Sequence, residues 1–104
     1  MRKADVFMDK NLAGLLVEEE LNKSYRFIYN TDYEDAPISV TMPVRGSEFK
    51  YVAFPPFFEG LLPEGANLEA LLRIKKIDRN DLFSQLMAVG EDMVGAVTVR
   101  EVQE

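Results

Sequence analysis

Three prolines and two glycines fence four large apolar side chains into Pro55 to Gly65, Pro-Pro-Phe-Phe-Glu-Gly-Leu-Leu-Pro-Glu-Gly, and this stretch restricts the possible folds more than any other. Pro55 and Pro56 fix φ and donate no N–H, so they end the preceding element and suit the first turn of a short helix. On that turn Phe57, Phe58, Leu61 and Leu62 fall at i, i+1, i+4 and i+5, which is one broad helical face. Pro63 disfavours the helical region at Leu62, and Gly65 lets the chain redirect before a second helix. Burying one large apolar side chain is worth roughly 1.5–3 kcal/mol, so four together outweigh most single contributions in a small domain. Adjacent Phe57 and Phe58 point about 100° apart on a helix. The segment is therefore expected to divide its apolar side chains between the core and a protrusion.

Before this segment the pattern has period two. Ala4, Val6 and Met8 alternate with Asp5 and Phe7 over Lys3–Met8, and Asp9-Lys10-Asn11 supplies turn residues, so a hairpin is expected. Its return strand runs from Leu12 to Glu19, with Ala13, Leu15 and Val17 on one face and Gly14 and Leu16 on the other. Gly14 in mid-strand suggests a bulge or a close backbone approach. Glu18, Glu19 and Glu20 read as a solvated strand end. Tyr25, Phe27 and Tyr29 alternate with Arg26 and Ile28 in a third strand over Ser24–Asn30. After an acidic turn, Ile38, Val40 and Met42 alternate in an expected fourth strand that stops at Pro43. In Val44–Ala53, Arg45-Gly46-Ser47 reads as a loop, while Phe49, Tyr51 and Val52 are compatible with extended chain.

Beyond the central segment the period changes to that of a helix. Leu68, Leu71 and Leu72 recur at i, i+3 and i+4 from a start near Ala66, with Arg73, Lys75 and Lys76 near the end, where cations complement the helix dipole. Asp78-Arg79-Asn80-Asp81 reads as a cap with Asp78 as the acceptor, and Leu82, Phe83, Leu86 and Met87 form the stripe of a further helix up to Gly90. Val94, Ala96, Thr98 and Arg100 then alternate with Gly95, Val97, Val99 and Glu101 in a closing strand over Met93–Val102, after which Gln103 and Glu104 fray. The order of four strands, helices and one strand predicts a single α+β domain over residues 1–104. Its sheet is expected to be five-stranded and mostly antiparallel, or a partly open barrel.

The inventory removes most chemistry. The 104 residues contain no cysteine and no histidine, so disulfides, thiol catalysis, and most hydrolase triads and zinc sites are excluded. A net charge of −6 argues against direct contact with nucleic acid, which relies on concentrated Lys and Arg. For the same reason Tyr25, Phe27 and Tyr29 do not read as a base-stacking platform. No apolar stretch is long enough to span a bilayer or to serve as a signal peptide, and a cytoplasmic location is expected. No glycine-rich phosphate loop is present, and Asp32, Glu34 and Asp35 lack the calcium-loop pattern, so no cofactor or metal is expected. Glu59 and Glu64 read as solvated helix ends and not as an acid–base pair.

Phe57-Phe58-Glu59-Gly60-Leu61-Leu62-Pro63-Glu64-Gly65, followed by Leu68-Glu69-Ala70-Leu71-Leu72 and then by Leu86-x-x-x-Gly90-x-Asp92-x-x-Gly95-Ala96-Val97, resembles the N-terminal subdomain of HipA-type serine/threonine kinase toxins. The resemblance spans the chain. It implies the β-rich fold of that subdomain, but the ATP-binding and catalytic parts of a full HipA-like kinase do not follow in this sequence. The likeness is therefore to HipS, the separately encoded small protein of HipBST-type toxin–antitoxin systems. What this implies is a non-enzymatic bacterial antitoxin that binds and neutralises a HipT-like kinase, with a HipB-like DNA-binding protein joining through the complex. The alternative is an accessory or activating subunit that completes the kinase fold without inhibiting it. On this resemblance Phe57, Phe58, Glu59, Glu64, Gly65 and Ala66 are expected to face the kinase, with Phe58, Glu59, Glu64, Gly65 and Ala66 at the tip. Leu61 and Leu62 are assigned mainly to the core. Ala66 departs from the pattern, since relatives often carry a larger residue there.

Overall fold

The computed structural model describes residues 1–46, 48–93 and 95–102. Strands β1 (Arg2–Met8), β2 (Asn11–Glu20), β3 (Ser24–Tyr29), β4 (Glu48–Tyr51) and β5 (Val97–Glu101) form one sheet in the order β4-β3-β2-β1-β5. Every neighbouring pair is antiparallel, and β4 and β5 remain as edges, so the sheet is open and not closed into a barrel. The β1–β2 hairpin turns through Asp9 and Lys10, both with positive φ, which matches the twist of the flanking strands. β5 returns from the far end of the chain to lie beside β1, with Val99 opposite Val6.

Pairing places Ala4, Leu16, Phe27 and Phe49 opposite one another across four strands. Helices α1 (Pro56–Glu59) and α3 (Leu82–Val89) cover this face, contributing Phe58, Phe83 and Leu86 to the same core. Gly14 sits where a Cβ would lie 2.3 Å from the Ile28 carbonyl oxygen, the close approach expected from its position in mid-strand. The register also slips there, with Val6 opposite Gly14 but Phe7 opposite Leu12. Through this bulge Ala13 joins Leu16 in the core, a correction to the face expected for it.

The expected fourth strand over Ile38–Met42 is a tight turn, closed by a single bridge between Ser39 and Met42. The Tyr29 hydroxyl holds it, accepting from Ile38 N at 3.0 Å and donating to the Met42 carbonyl. Ile38 and Met42 are buried while Val40 is 95% exposed, so the alternation reflects two anchors and an outward tip. The true fourth strand is Glu48–Tyr51, from the stretch compatible with extended chain.

Glu18 is not solvated, as the charge run suggested, but 2% exposed on the core side. Arg2 reaches it through two hydrogen bonds of 2.6 and 2.8 Å and continues to Asp81 at 2.9 Å and Ser84 at 2.8 Å. The guanidinium also lies 4.9 Å from the Phe83 ring centroid. One arginine thus ties β1 and β2 to the start of α3. Asp81 caps that helix by accepting from Ser84 N, while Asp78 accepts from Asn80 N within its own turn; the capping role expected of Asp78 belongs to Asp81.

Helix α2 (Gly65–Lys75) starts close to the expected place. α3 gives way at Gly90 to a 3₁₀ turn, Gly90–Asp92, through a right-handed residue with φ −59° and not a left-handed cap. That turn and Gly95, with φ +121°, delay the last strand to Val97. The expectations for Ser47, Val94, Gln103 and Glu104 lie outside the described residues. Among the described residues no helix is long and apolar enough to cross a membrane.

Candidate functional site

Pro55 enters α1 with φ −58° and Pro56 occupies its first turn, as two successive prolines favour. The turn continues past Glu59 by tighter bonds, from Leu61 N to Phe58 O and from Leu62 N to Glu59 O, both 3.1 Å. Phe58 points into the sheet, 0% exposed, with its ring centroid 5.8 Å from that of Phe27. It is therefore a core residue and not part of the tip, because one turn of helix lying on a sheet directs one of two adjacent side chains inward. Phe57 is left half-buried at its edge, ring to ring with Phe58 at 5.1 Å.

Leu61 and Leu62 pack against the core, as expected, and stay half-buried at its edge. Glu59, Glu64, Gly65 and Ala66 are exposed, as expected for the tip. Glu64 precedes α2 in an extended conformation, and its side chain makes no capping bond. Gly65 has φ +59°, the left-handed region in which a side chain is strained, and apart from its chain neighbours and its own helix backbone nothing lies within 4 Å of where a Cβ would be. The chain thus reverses on backbone geometry alone and leaves the tip uncovered.

Behind the tip is an open groove of about 620 Å³. One wall is Gly60, Leu61, Pro63 and Asn67, and the other is Ala88, Val89, Asp92 and Met93 from the end of α3 and its 3₁₀ turn. Sequence reasoning did not find the second wall, which is remote in the chain; the only hint is that Gly90 and Asp92 fall within the later motif. Glu59, Glu64 and Asp92 are exposed around this region, and none forms an ion pair among the described residues. Helix α2 buries none of its residues fully, and Ile74 is 69% exposed. The opposite face of the sheet carries a separate depression of about 310 Å³ among Asp5, Leu12, Leu15 and Ile28. Asp32, Glu34 and Asp35 are not gathered into a metal cluster, and none occurs among the described residues. An exposed tip, half-buried leucines and an apolar groove can supply contact area to a protein partner.

The family model of the HipA N-terminal domain matches residues 4–100. An uncharacterised protein of Haemophilus influenzae (strain ATCC 51907 / DSM 11121 / KW20 / Rd) is 35% identical over 101 residues, covering 97% of this chain and 93% of the relative. A solved structure of the N-terminal domain of HipA toxin superposes with a TM-score of 0.79 at 30% identity, covering all of this chain and 95% of that one. With the sheet order, the helices and the Phe57–Ala66 segment described above, these similarities show that the chain belongs to the HipA N-terminal domain family.

Proposed function

We propose that the protein is an antitoxin that binds a HipT-like serine/threonine kinase and restrains it, using the Phe57–Ala66 segment apart from the buried Phe58. The observation that carries this reading is the match of residues 4–100 to the HipA N-terminal domain, supported by the likeness to the solved N-terminal domain of HipA toxin. A domain that pairs with a kinase in one chain can pair with it across two. The residue inventory supports a partner without chemistry of its own, since histidine and cysteine are absent and the exposed tip offers contact area. A HipB-like DNA-binding protein would join through the kinase, because this acidic chain has no concentrated positive charge with which to hold DNA.

Copurification of the tagged protein with a HipT-like kinase tests the pairing, and the absence of a complex at micromolar concentration with both chains folded overturns it. Coexpression separates inhibition from the accessory role. Rescue of growth supports the antitoxin, whereas unchanged or deepened toxicity supports a subunit that completes or activates the kinase. Calorimetry of the protein alone with ATP and magnesium should give no saturable heat.

A further inference from the structure

The groove behind the tip has features that indicate what would enter it. Its apolar lining comes from Leu61, Pro63, Val89 and Met93, and its volume of about 620 Å³ accommodates a large side chain with its neighbours. Its surroundings are acidic. Asp92 lines the groove, and Glu59 and Glu64 adjoin the lining residues Gly60 and Pro63, all three exposed and without an ion pair among the described residues. Among the described residues no cation lines the groove. The cations of α2, Arg73 and Lys75, stand in its last turn, about 9 and 12 Å along the helix axis from Asn67 at 1.5 Å per residue. Arg100 is engaged with Glu91 at 2.8 Å.

We propose that this groove takes a basic amphipathic segment of the partner protein, in which a Leu-, Met- or Phe-sized side chain enters between Leu61 and Val89 while flanking Arg or Lys residues meet Glu59, Glu64 and Asp92. The inference rests on the reading of Phe57–Ala66 as a docking surface and specifies the chemistry of what docks. Apolar burial supplies the contact, and complementary charge selects the orientation and speeds encounter. An acidic segment would bring like charges to the rim and is disfavoured.

The test is an amide ¹H–¹⁵N titration of the full chain with two synthetic peptides. They share the same apolar residues and carry Arg and Lys in one and Glu in the other. The basic peptide is expected to shift the amides of Gly60, Asn67, Ala88 and Val89 saturably, with weaker binding as salt is raised. The acidic peptide is expected to leave them in place. Asp92→Lys at the rim and Ala88→Trp in the wall should each weaken the basic peptide about tenfold, which is about 1.4 kcal/mol. Glu20→Lys, the same change of charge sign at an exposed site outside the groove, should not. Equal binding of both peptides, shifts confined to other amides, or no shift at all overturns the proposal. Copurification with the kinase then separates the two readings. A wild-type complex that Asp92→Lys and Ala88→Trp leave equally tight overturns the groove and spares the antitoxin, whereas a groove that takes the basic peptide in a protein that forms no kinase complex overturns the antitoxin reading.

Discussion

Phe58 and Glu64 belong to one short segment, yet substitution should affect them in opposite ways. Phe58→Ala removes a fully buried ring from the contact with Phe27 and should cost about 3–5 kcal/mol, seen as a large fall in the urea midpoint. Glu64→Ala alters an exposed side chain without a capping bond and should stay within about 0.5 kcal/mol, while a true hot spot there would lose about 2 kcal/mol of kinase binding. The Arg2–Glu18 pair is the other residue-scale feature. Arg2→Ala leaves the Glu18 carboxylate buried without its cation and should destabilise by about 3–5 kcal/mol in urea unfolding. The same cluster makes stability depend on pH. Burial pushes the Asp81 carboxyl up, but hydrogen bonds from Arg2 and Ser84 outweigh it and hold the group below the usual carboxylate range. A depressed folded-state pKa gives stability that is present above the unfolded value, near 3.9, and lost as pH falls through the folded value. The advantage of the wild type over Asp81→Asn should therefore shrink as unfolding is followed downward from about pH 4. At the alkaline end, burial and the nearby Glu18 push the Tyr25 phenol up to about 12. Its protonated form favours the fold, so that contribution should be lost as pH rises from about 10 towards 12, and Tyr25→Phe should flatten the decline.

At the scale of elements, the three helices differ in what holds them. α3 is capped by Asp81, tied to β1 and β2 through Arg2, and buries Phe83, Gln85 and Leu86. α2 has no side-chain cap and no fully buried residue; a left-handed Lys76 ends it, half-buried leucines form its face, and Glu69 makes an exposed ion pair with Arg79 beyond its end at 2.6 Å. Gly65→Ala meets no neighbouring atom, so its cost should be that of the backbone conformation alone, about 1–2 kcal/mol, without an added clash. Urea unfolding of that variant checks the figure. A much larger loss would mean that the turn before α2 bears on the core.

For the molecule as a whole, protection should follow the core and not the amount of regular structure. Amides of β1, β2 and β3, paired on both sides or centred in the sheet, should exchange with solvent slowest, at rates near those of global unfolding. Those of α2 should exchange earliest among the two longer helices, because local opening exposes little that was buried. Hydrogen exchange followed residue by residue tests this order, and equal protection in α2 and α3 would contradict it.

The period-two runs at Lys3–Met8, Leu12–Glu19 and Ser24–Asn30, the proline-fenced turn and both longer helices were legible because local periodicity and backbone restrictions act within a few residues. The same sequence put a strand at Ile38–Met42, since two buried anchors on either side of an exposed Val40 produce the same alternation as a pleat; only the Tyr29 hydroxyl, reaching across from β3, distinguishes them. Glu18 looked solvated because nothing local shows that Arg2 will lie opposite it once β1 pairs with β2. Phe58 and Phe57 carry the same chemistry, and which of them turns inward depends on how α1 lies against Phe27. The exposed tip at Glu59, Glu64, Gly65 and Ala66 was readable from prolines and glycines, but the groove beside it was not. Its second wall comes from Ala88, Val89, Asp92 and Met93, held there by the close approach of Gly90 to Val99 of β5, which pairs with β1. Sequence by itself determined the first three strands, the central turn, both longer helices and the family, because these rest on short-range geometry and on motif; tertiary packing decided where the fourth strand runs, which side chains are inside and what faces a partner, because pairing and burial are set by residues far apart in the chain.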